Sequence, residues 1–400
     1  MDGVLAVQED KRKSRVLVAA FEYHPRGGAE ARGAVQLVDE LRRRGRRSLV
    51  MIPRIPGSHD RSGTLTLGRL PMRYGNYLSI RNYIEFMVVA ASVGKRLARW
   101  FSVGHQVSPM TFRLPSPLAE LDIPFVWGPL GGSLPYPPGF ETYARGFDPV
   151  HLLRRLDRTR MYLDPLLRRS LARASILVVN TTQAANLVPD AYRHKVRVIP
   201  DGFVYADRGG IEICEEPYIF SSGRLIRYKA FDLLIRAFAA ASSRLDRGIT
   251  LQITGTGEQR GSLEALINSL GLGARVRLLG PVEREDNIRL MQRSLMCVFP
   301  SLREAFGQVN LEAMAMGKPV VATAWGGPAD IITDEETGLT VLGRNPAEHV
   351  ELLADAMVRL ARDEALRRRL GNAACGRVAS HYSWAKLAGQ YDALYDEIGR

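Results

Sequence analysis

The stretch SRVLVAAFEYHPRGGAEARGAVQLVDELRRRGRRSLVMIP, residues 14–53, decides the fold class. Ser14–Phe21 is a short, nearly continuous apolar run, suited to a strand covered on both faces. A glycine turn follows, and from Ala29 to Arg44 the residues Leu37, Val38 and Leu41 share one helical face. Gly45 stops that helix, and Ser48–Pro53 reads as the next strand. Strand, glycine turn, helix, strand predicts a parallel α/β sheet.

Outward from this unit the same grammar continues. Residues 53–75 read as a Gly/Pro-rich loop, Arg81–Phe101 as a helix and Ile123–Trp127 as a strand. Eight of the twelve residues 128–139 are then Gly or Pro. Ser175–Asn180 and Val196–Gly202 are further strands. After the polar, turn-rich stretch Tyr205–Pro217, strands and helices alternate again. The expectation is α/β, two Rossmann-like domains facing across a central cleft. Residues 1–204 form the first (1–13 expected to be disordered), 205–217 the linker and 218–381 the second.

Composition narrows the function classes. The chain has 400 residues, 46% of them hydrophobic and 24% charged, enough for two cores without staples. Cys214, Cys297 and Cys375 lie far apart with no C-x-x-C pair, which excludes a disulfide framework or zinc knuckle. The opening MDGVLAVQEDKRKS is unlike a secretory signal, and no apolar run approaches the ~18 residues of a membrane span. A cytoplasmic protein is expected. Residues 1–200 hold 31 Lys+Arg against 16 Asp+Glu, and residues 201–400 hold 24 against 26. The basic surface therefore belongs to the first domain. A nucleic-acid binder is disfavoured, because zinc-finger, basic-zipper and RNP patterns are missing from the sequence.

The chemistry-bearing stretch is PSLREAFGQVNLEAMAMGKPVVATAWGGPADII, residues 300–332. A helix starting near Phe306–Gln308 puts Glu304 at its mouth and Glu312 inside it. Its free N–H groups, with Gly307 permitting close approach, form an anion site. Eight helical steps bound the two carboxylates at about 12 Å, wider than the ~5–9.5 Å of a glycosidase pair. They suit the two ends of one elongated ligand. In SSGRLIRYKAFDLLI, Gly223 and Arg224 follow a strand and Lys229 precedes a helix, an arrangement suited to a diphosphate. Gly255 and Gly257 lie at a third strand end.

Together these segments resemble the retaining glycosyltransferases of family 4, which have the GT-B fold. From Tyr218 to Leu342, six motifs occur in the family's order and spacing. The resemblance implies that Arg224 and Lys229 hold the nucleotide diphosphate. Glu304 would meet the donor sugar and Glu312 the ribose, with amides of Phe306, Gly307 and Gln308 approaching sugar and phosphate. It places Gly27, Gly28, Gly223, Gly255 and Gly257 near the donor. His24, Glu30, His105, Gly131 and Gly132 become acceptor-side candidates in the first domain. Where many members carry T-F-H, this chain has FVWGPLGG, resembling a bacterial subset with W-G-P-x-G-G. The resemblance also packs 382–400 back on the first domain as a helix anchored by Trp384 and Tyr391.

The implied reaction is retaining transfer from a UDP- or GDP-sugar to a glycan or lipid-linked acceptor in bacterial polysaccharide or glycolipid synthesis. The chain contains no D-x-D, so no metal or other cofactor is expected. Residues 151–173 hold seven arginines, and 81–101 mixes Phe86, Val89 and Val93 with Lys95, Arg96 and Arg99. That mixture suits peripheral contact with an anionic membrane at its cytoplasmic face. A non-catalytic scaffold of the same fold and a nucleotide-sugar epimerase remain alternatives.

Overall fold

The computed structural model describes residues 15–25, 27–54, 63–67, 80–132, 134–144, 157–202 and 216–399. The expected linker 205–217 and residues 1–13 fall almost wholly outside them.

The first sheet has seven strands: β1 Val16–Ala20, β2 Ser48–Pro53, β3 Thr64–Leu67, β4 Val103–Ser108, β5 Phe125–Leu130, β6 Ile176–Val179 and β7 Val196–Val198. Its order is β3-β2-β1-β4-β5-β6-β7 and every pairing is parallel. The second has six: β8 Tyr218–Ser222, β9 Thr250–Thr254, β10 Val276–Gly280, β11 Met296–Phe299, β12 Val320–Thr323 and β13 Leu339–Val341. These run β10-β9-β8-β11-β12-β13, again parallel. In both sheets the strand order reverses beside the first strand, so a crevice opens at the strands' carboxyl ends.

Helix α1, Ala29–Arg43, buries Val35, Val38 and Leu41 on β1 and β2. Its end is a Schellman motif: Gly45, at φ 82°, donates to Arg42 O, and Arg46 N donates to Leu41 O at 2.9 Å. Helix α2 is Ile80–Leu97 and α3 is Pro165–Arg173. Asp164 caps α3 by accepting from Leu166 N and Leu167 N.

Two strands escape the sequence reading. β3 lies inside the stretch read as loop. β4, VGHQVS, carries too many polar residues for an apolar run, yet all six residues are buried at the sheet's centre. β5 continues past Trp127 through Gly128, where a Cβ would stand 2.1 Å from Val178 O.

Beyond β5 the strap 134–144 leaves the first sheet and lies on the second domain. Phe140 is buried among Ala230, Leu233 and Leu302. Tyr143 Oη donates to Asp232 Oδ2 at 2.5 Å, and Arg227 donates to Thr142 O at 2.8 Å.

In the second domain α4, Phe231–Ala241, packs against α6, Pro346–Arg362. Helix α5, Gln308–Ala315, packs against α7, Glu364–His381. Helix α8, Trp384–Ile398, returns to the first domain. There Trp384, Leu387, Tyr391 and Tyr395 join the core formed by Val16, Val38 and Val126. Buried Arg46 fastens the helix, its Nε donating to Asp392 Oδ1 at 2.7 Å.

Candidate functional site

Between the domains lies a cavity of about 510 Å³ at the carboxyl ends of both sheets. The second domain contributes Ser222, Gly223, Arg224, Tyr228, Lys229, Arg284, Arg303, Glu304, Gln308 and Glu312. The first contributes Arg32, Arg113, Gly132 and Leu134.

Each group's position follows from its local fold. Gly223 ends β8, so the chain turns at once and brings Arg224 and Lys229 round before α4. Arg224 donates to Tyr228 Oη, and Lys229 pairs with Glu304. Gly307, at φ 99°, opens α5; a Cβ there would stand 2.5 Å from Asn310 Nδ2 and 3.1 Å from Glu304 Cγ. The positive φ and the crowding by Asn310 together favour glycine at this helix start. Glu312, one turn further, accepts from Arg284 Nη1 at 2.6 Å. Ser222 and Thr254 hydroxyls both donate to Asn287 Oδ1, tying the ends of β8 and β9.

Arg303 is the cross-domain member. Its Nε donates to Leu134 O at 2.6 Å, and its guanidinium stacks 5.2 Å from the Tyr136 ring and 5.9 Å from that of Tyr228. More bonds close the seam: Gln308 Nε2 to Gly202 O at 3.2 Å, Thr182 to Asp330, and Gly326 N to Gln183 Oε1 at 2.9 Å.

Several expected site residues lie elsewhere. His105 is fully buried on β4. Its Nε2 donates to Gly128 O at 2.7 Å, so Nδ1 accepts from Tyr395 Oη at 2.5 Å. Burial pushes its pKa down to about 4, fixing a neutral ring stacked on Tyr391. It is a core histidine, closed to any acceptor. Phe306 was expected through its backbone amide; its side chain is buried against Tyr382 and anchors α5. Gly255 and Gly257 do not line the cavity. A Cβ on them would strike Gly223 O at 1.9 Å and Leu225 O at 2.3 Å, so their role is loop-on-loop packing. Gly131 likewise packs under Asn180, a Cβ there lying 2.6 Å from Nδ2.

The first glycine loop stands beside the cavity. Gly27 packs on Ala31 and accepts from Arg32 at 2.7 Å, while Gly28 caps α1 with open space beside it. His24 and Glu30 are half-buried and do not line the cavity among the described residues. Glu30 accepts from Met110 N. Burial, then the Glu22 charge, raises its pKa to about 8. Burial alone lifts that of Asp201 to about 7, despite the hydrogen bond from Asn180.

Arg32, Arg113, Tyr228, Arg284 and Arg303 were not anticipated. Arg32 lies four residues after Gly28, one helical turn inside the loop, and Arg303 adjoins Glu304; adjacency to a motif was the available signal. Arg113 has no such mark, since the fold alone brings it there.

Two parallel α/β domains with a cationic cleft at their strand ends define the GT-B class. Residues 208–377 match the family described as Glycosyl transferases group 1. Among solved structures, the sucrose-phosphate synthase of Thermosynechococcus elongatus is similar over 96% of this chain and 98% of its own (TM-score 0.69, 20% identity). Anabaena HepE in complex with UDP aligns over 96% and 100% (TM-score 0.66, 16% identity). These share the fold. The D-inositol 3-phosphate glycosyltransferase of Nocardia farcinica is 32% identical over 241 residues, 55% of this chain and 52% of its own. The chain spans about half the length of the curated relatives it matches.

Proposed function

We propose that the protein is a retaining, metal-independent glycosyltransferase that moves a sugar from a nucleotide-sugar donor, a UDP- or GDP-sugar, to a glycan or lipid-linked acceptor. The observation that carries this is the convergence of Arg224, Lys229, the α5 amino terminus, Glu304 and Glu312 on one cavity. The diphosphate would lie against Arg224 and Lys229, with Glu312 at the ribose and Glu304 at the sugar. As the sugar–phosphate bond breaks, charge grows on the leaving oxygen, and the same cations and helix amides would stabilise it without a metal. Retention follows if the acceptor hydroxyl enters on the leaving group's face and gives its proton to a departing phosphate oxygen. Lys229 pairs with Glu304, and donor binding would draw its ammonium toward phosphate.

A cytoplasmic place in bacterial glycan or glycolipid synthesis, at the membrane surface, is part of this reading. No helix among the described residues is long and apolar enough to cross a membrane. Support for surface contact comes from α2 and α3. They frame an apolar groove of about 530 Å³ lined by Met87, Val88, Ala91 and Leu166 and edged by Lys95, Arg96 and Arg169. Of ten large apolar side chains exposed among the described residues, six (Ile84, Val88, Trp100, Tyr162, Leu163, Leu166) lie on the helical stretches around it.

A thermal-shift panel of UDP, GDP, ADP and their sugar derivatives, with and without EDTA, tests the donor reading. One nucleotide class should raise Tm irrespective of EDTA, and Glu312→Ala should abolish the effect. A flat panel overturns it.

A further inference from the structure

We infer that the acceptor is an amphiphile whose hydrocarbon chain lies in the groove between α2 and α3 while its polar head reaches the cleft. This deepens the glycosyl-transfer reading above and rests on it. One loop serves both cavities. Arg113 lines the cleft, and Pro115, Ser116 and Pro117 line the groove. Two residues of chain span at most about 7 Å, so the two walls adjoin. The loop is pinned on the groove side, where Tyr83 Oη donates to Pro115 O at 2.6 Å and Ser116 N donates to Ser170 Oγ at 2.9 Å. Arg160 donates to Arg113 O at 3.3 Å. That bond sets the short helix Asp157–Leu163, with its exposed Tyr162 and Leu163, beside the same loop.

The groove has a direction. Helix α2 leads into β4 and α3 into β6, so both helices start at the strands' carboxyl ends, on the cleft side. On α2, Ile84, Val88 and Ala91 recur at helical spacing and form an apolar stripe that ends at Lys95. Val88, Leu163 and Leu166 are each at least half exposed. The exposed aliphatic side chains thus gather toward the cleft, and Lys95, Arg96 and Arg169 stand at the far end. Lys95 and Arg169 share Glu120, at 3.7 and 3.0 Å, so the groove's three cations face one carboxylate. A contiguous apolar patch left open to water is unfavourable until something apolar covers it. A free sugar cannot cover it, whereas a hydrocarbon chain can. A chain tethered to a group in the cleft enters at the apolar end. It leads toward cations suited to the anionic headgroups of the bilayer that would carry such an acceptor.

The test uses the full chain, first confirming a Tm shift with UDP or GDP. If neither shifts it, the donor reading itself falls, a failure distinct from the one sought here. The nucleotide-loaded protein is then titrated by isothermal calorimetry with glucose and with hexyl, heptyl and octyl glucoside, each below its micelle concentration. The slope with chain length is read, so the head sugar need not be the natural one. Each added methylene should tighten binding about two- to fourfold. Val88→Asp with Leu166→Asp should flatten that slope and keep the nucleotide shift. Leu270→Asp, at an exposed apolar residue of the second domain, should leave the slope unchanged. If the double variant fails to fold, Val88→Gln alone carries the same reading. Octyl glucoside with a diazirine on its sugar should label peptides of the cleft wall, and with one at the chain end those of α2 or α3. A flat series overturns the inference, and binding of phosphatidylglycerol vesicles alongside a flat series would assign the groove to the bilayer instead. A slope unchanged in the groove variants, or a sugar label away from the cleft, overturns it too.

Discussion

Arg46 and Asp392, 346 residues apart, meet as a buried ion pair that joins the end of the first domain's leading helix to the chain's last helix. Asp396 adds a second carboxylate at 2.9 Å. Asp392→Ala takes the buried carboxylate from Arg46 and leaves it Asp396, which is half-exposed. The variant should cost about 1–3 kcal/mol by denaturant unfolding, and the charge-free pair Arg46→Met/Asp392→Leu should recover much of it. A loss under 1 kcal/mol would show the pair to be solvated.

Lys229 is expected to act in the chemical step. Lys229→Ala should lower kcat about 10²- to 10³-fold with a smaller change in donor KM, measured once a turnover assay exists. A change confined to KM would mean that it only binds.

Stability should depend on pH in two opposing ways. His105 and His349, each pushed down to about 4 by burial, take up protons on unfolding below about pH 6.5, so they weaken the fold as pH falls from there. Glu30 and Asp201, raised to about 8 and about 7, hold protons only when folded, so they weaken it as pH rises from the ordinary carboxylate range. The two effects oppose one another in mildly acid solution. Above pH 6.5 only the carboxyls remain, so Tm should drift downward from pH 6.5 to 8, and Glu30→Gln should flatten that drift. A profile identical in the variant would refute the assignment.

The apolar groove beside α2 should respond to charge. Val88→Asp with Leu163→Asp should reduce flotation with anionic liposomes while leaving the nucleotide-induced Tm shift intact. Equal flotation of both proteins would remove this face from the membrane reading.

Phe140 should fix the strap to the second domain. Phe140→Ala removes a buried ring, a change that costs about 3–5 kcal/mol in a packed core. It should open residues 134–144 to limited proteolysis and weaken nucleotide binding by freeing Arg303 from Leu134.

How much of this was legible depended on what each residue answers to. β1, α1 and β2 could be read because their apolar spacing is local. Arg224, Lys229, Glu304 and Glu312 could be read because each sits at a fixed offset from a strand end or helix start. β4 could not: His105 and Gln106 look like surface residues until Tyr395, from the far end of the chain, supplies His105 with its partner. Gly255 and Gly257 were misplaced because a glycine that admits a ligand and one that admits another loop are identical in sequence. Arg113 and Leu134 became site residues only when two separate sheets were set edge to edge.

The return of α8 also decides how the halves can move. The chain passes from the first domain to the second between Gly202 and Glu216, and back between His381 and Trp384. A body joined to another at two points keeps one easy freedom, rotation about the line through them. The strap is a third link, made of a ring and a few hydrogen bonds. Drawing the second domain away from the first sheet must therefore strain these contacts and pull on Phe140 in its seat, which makes the strap a latch between the halves.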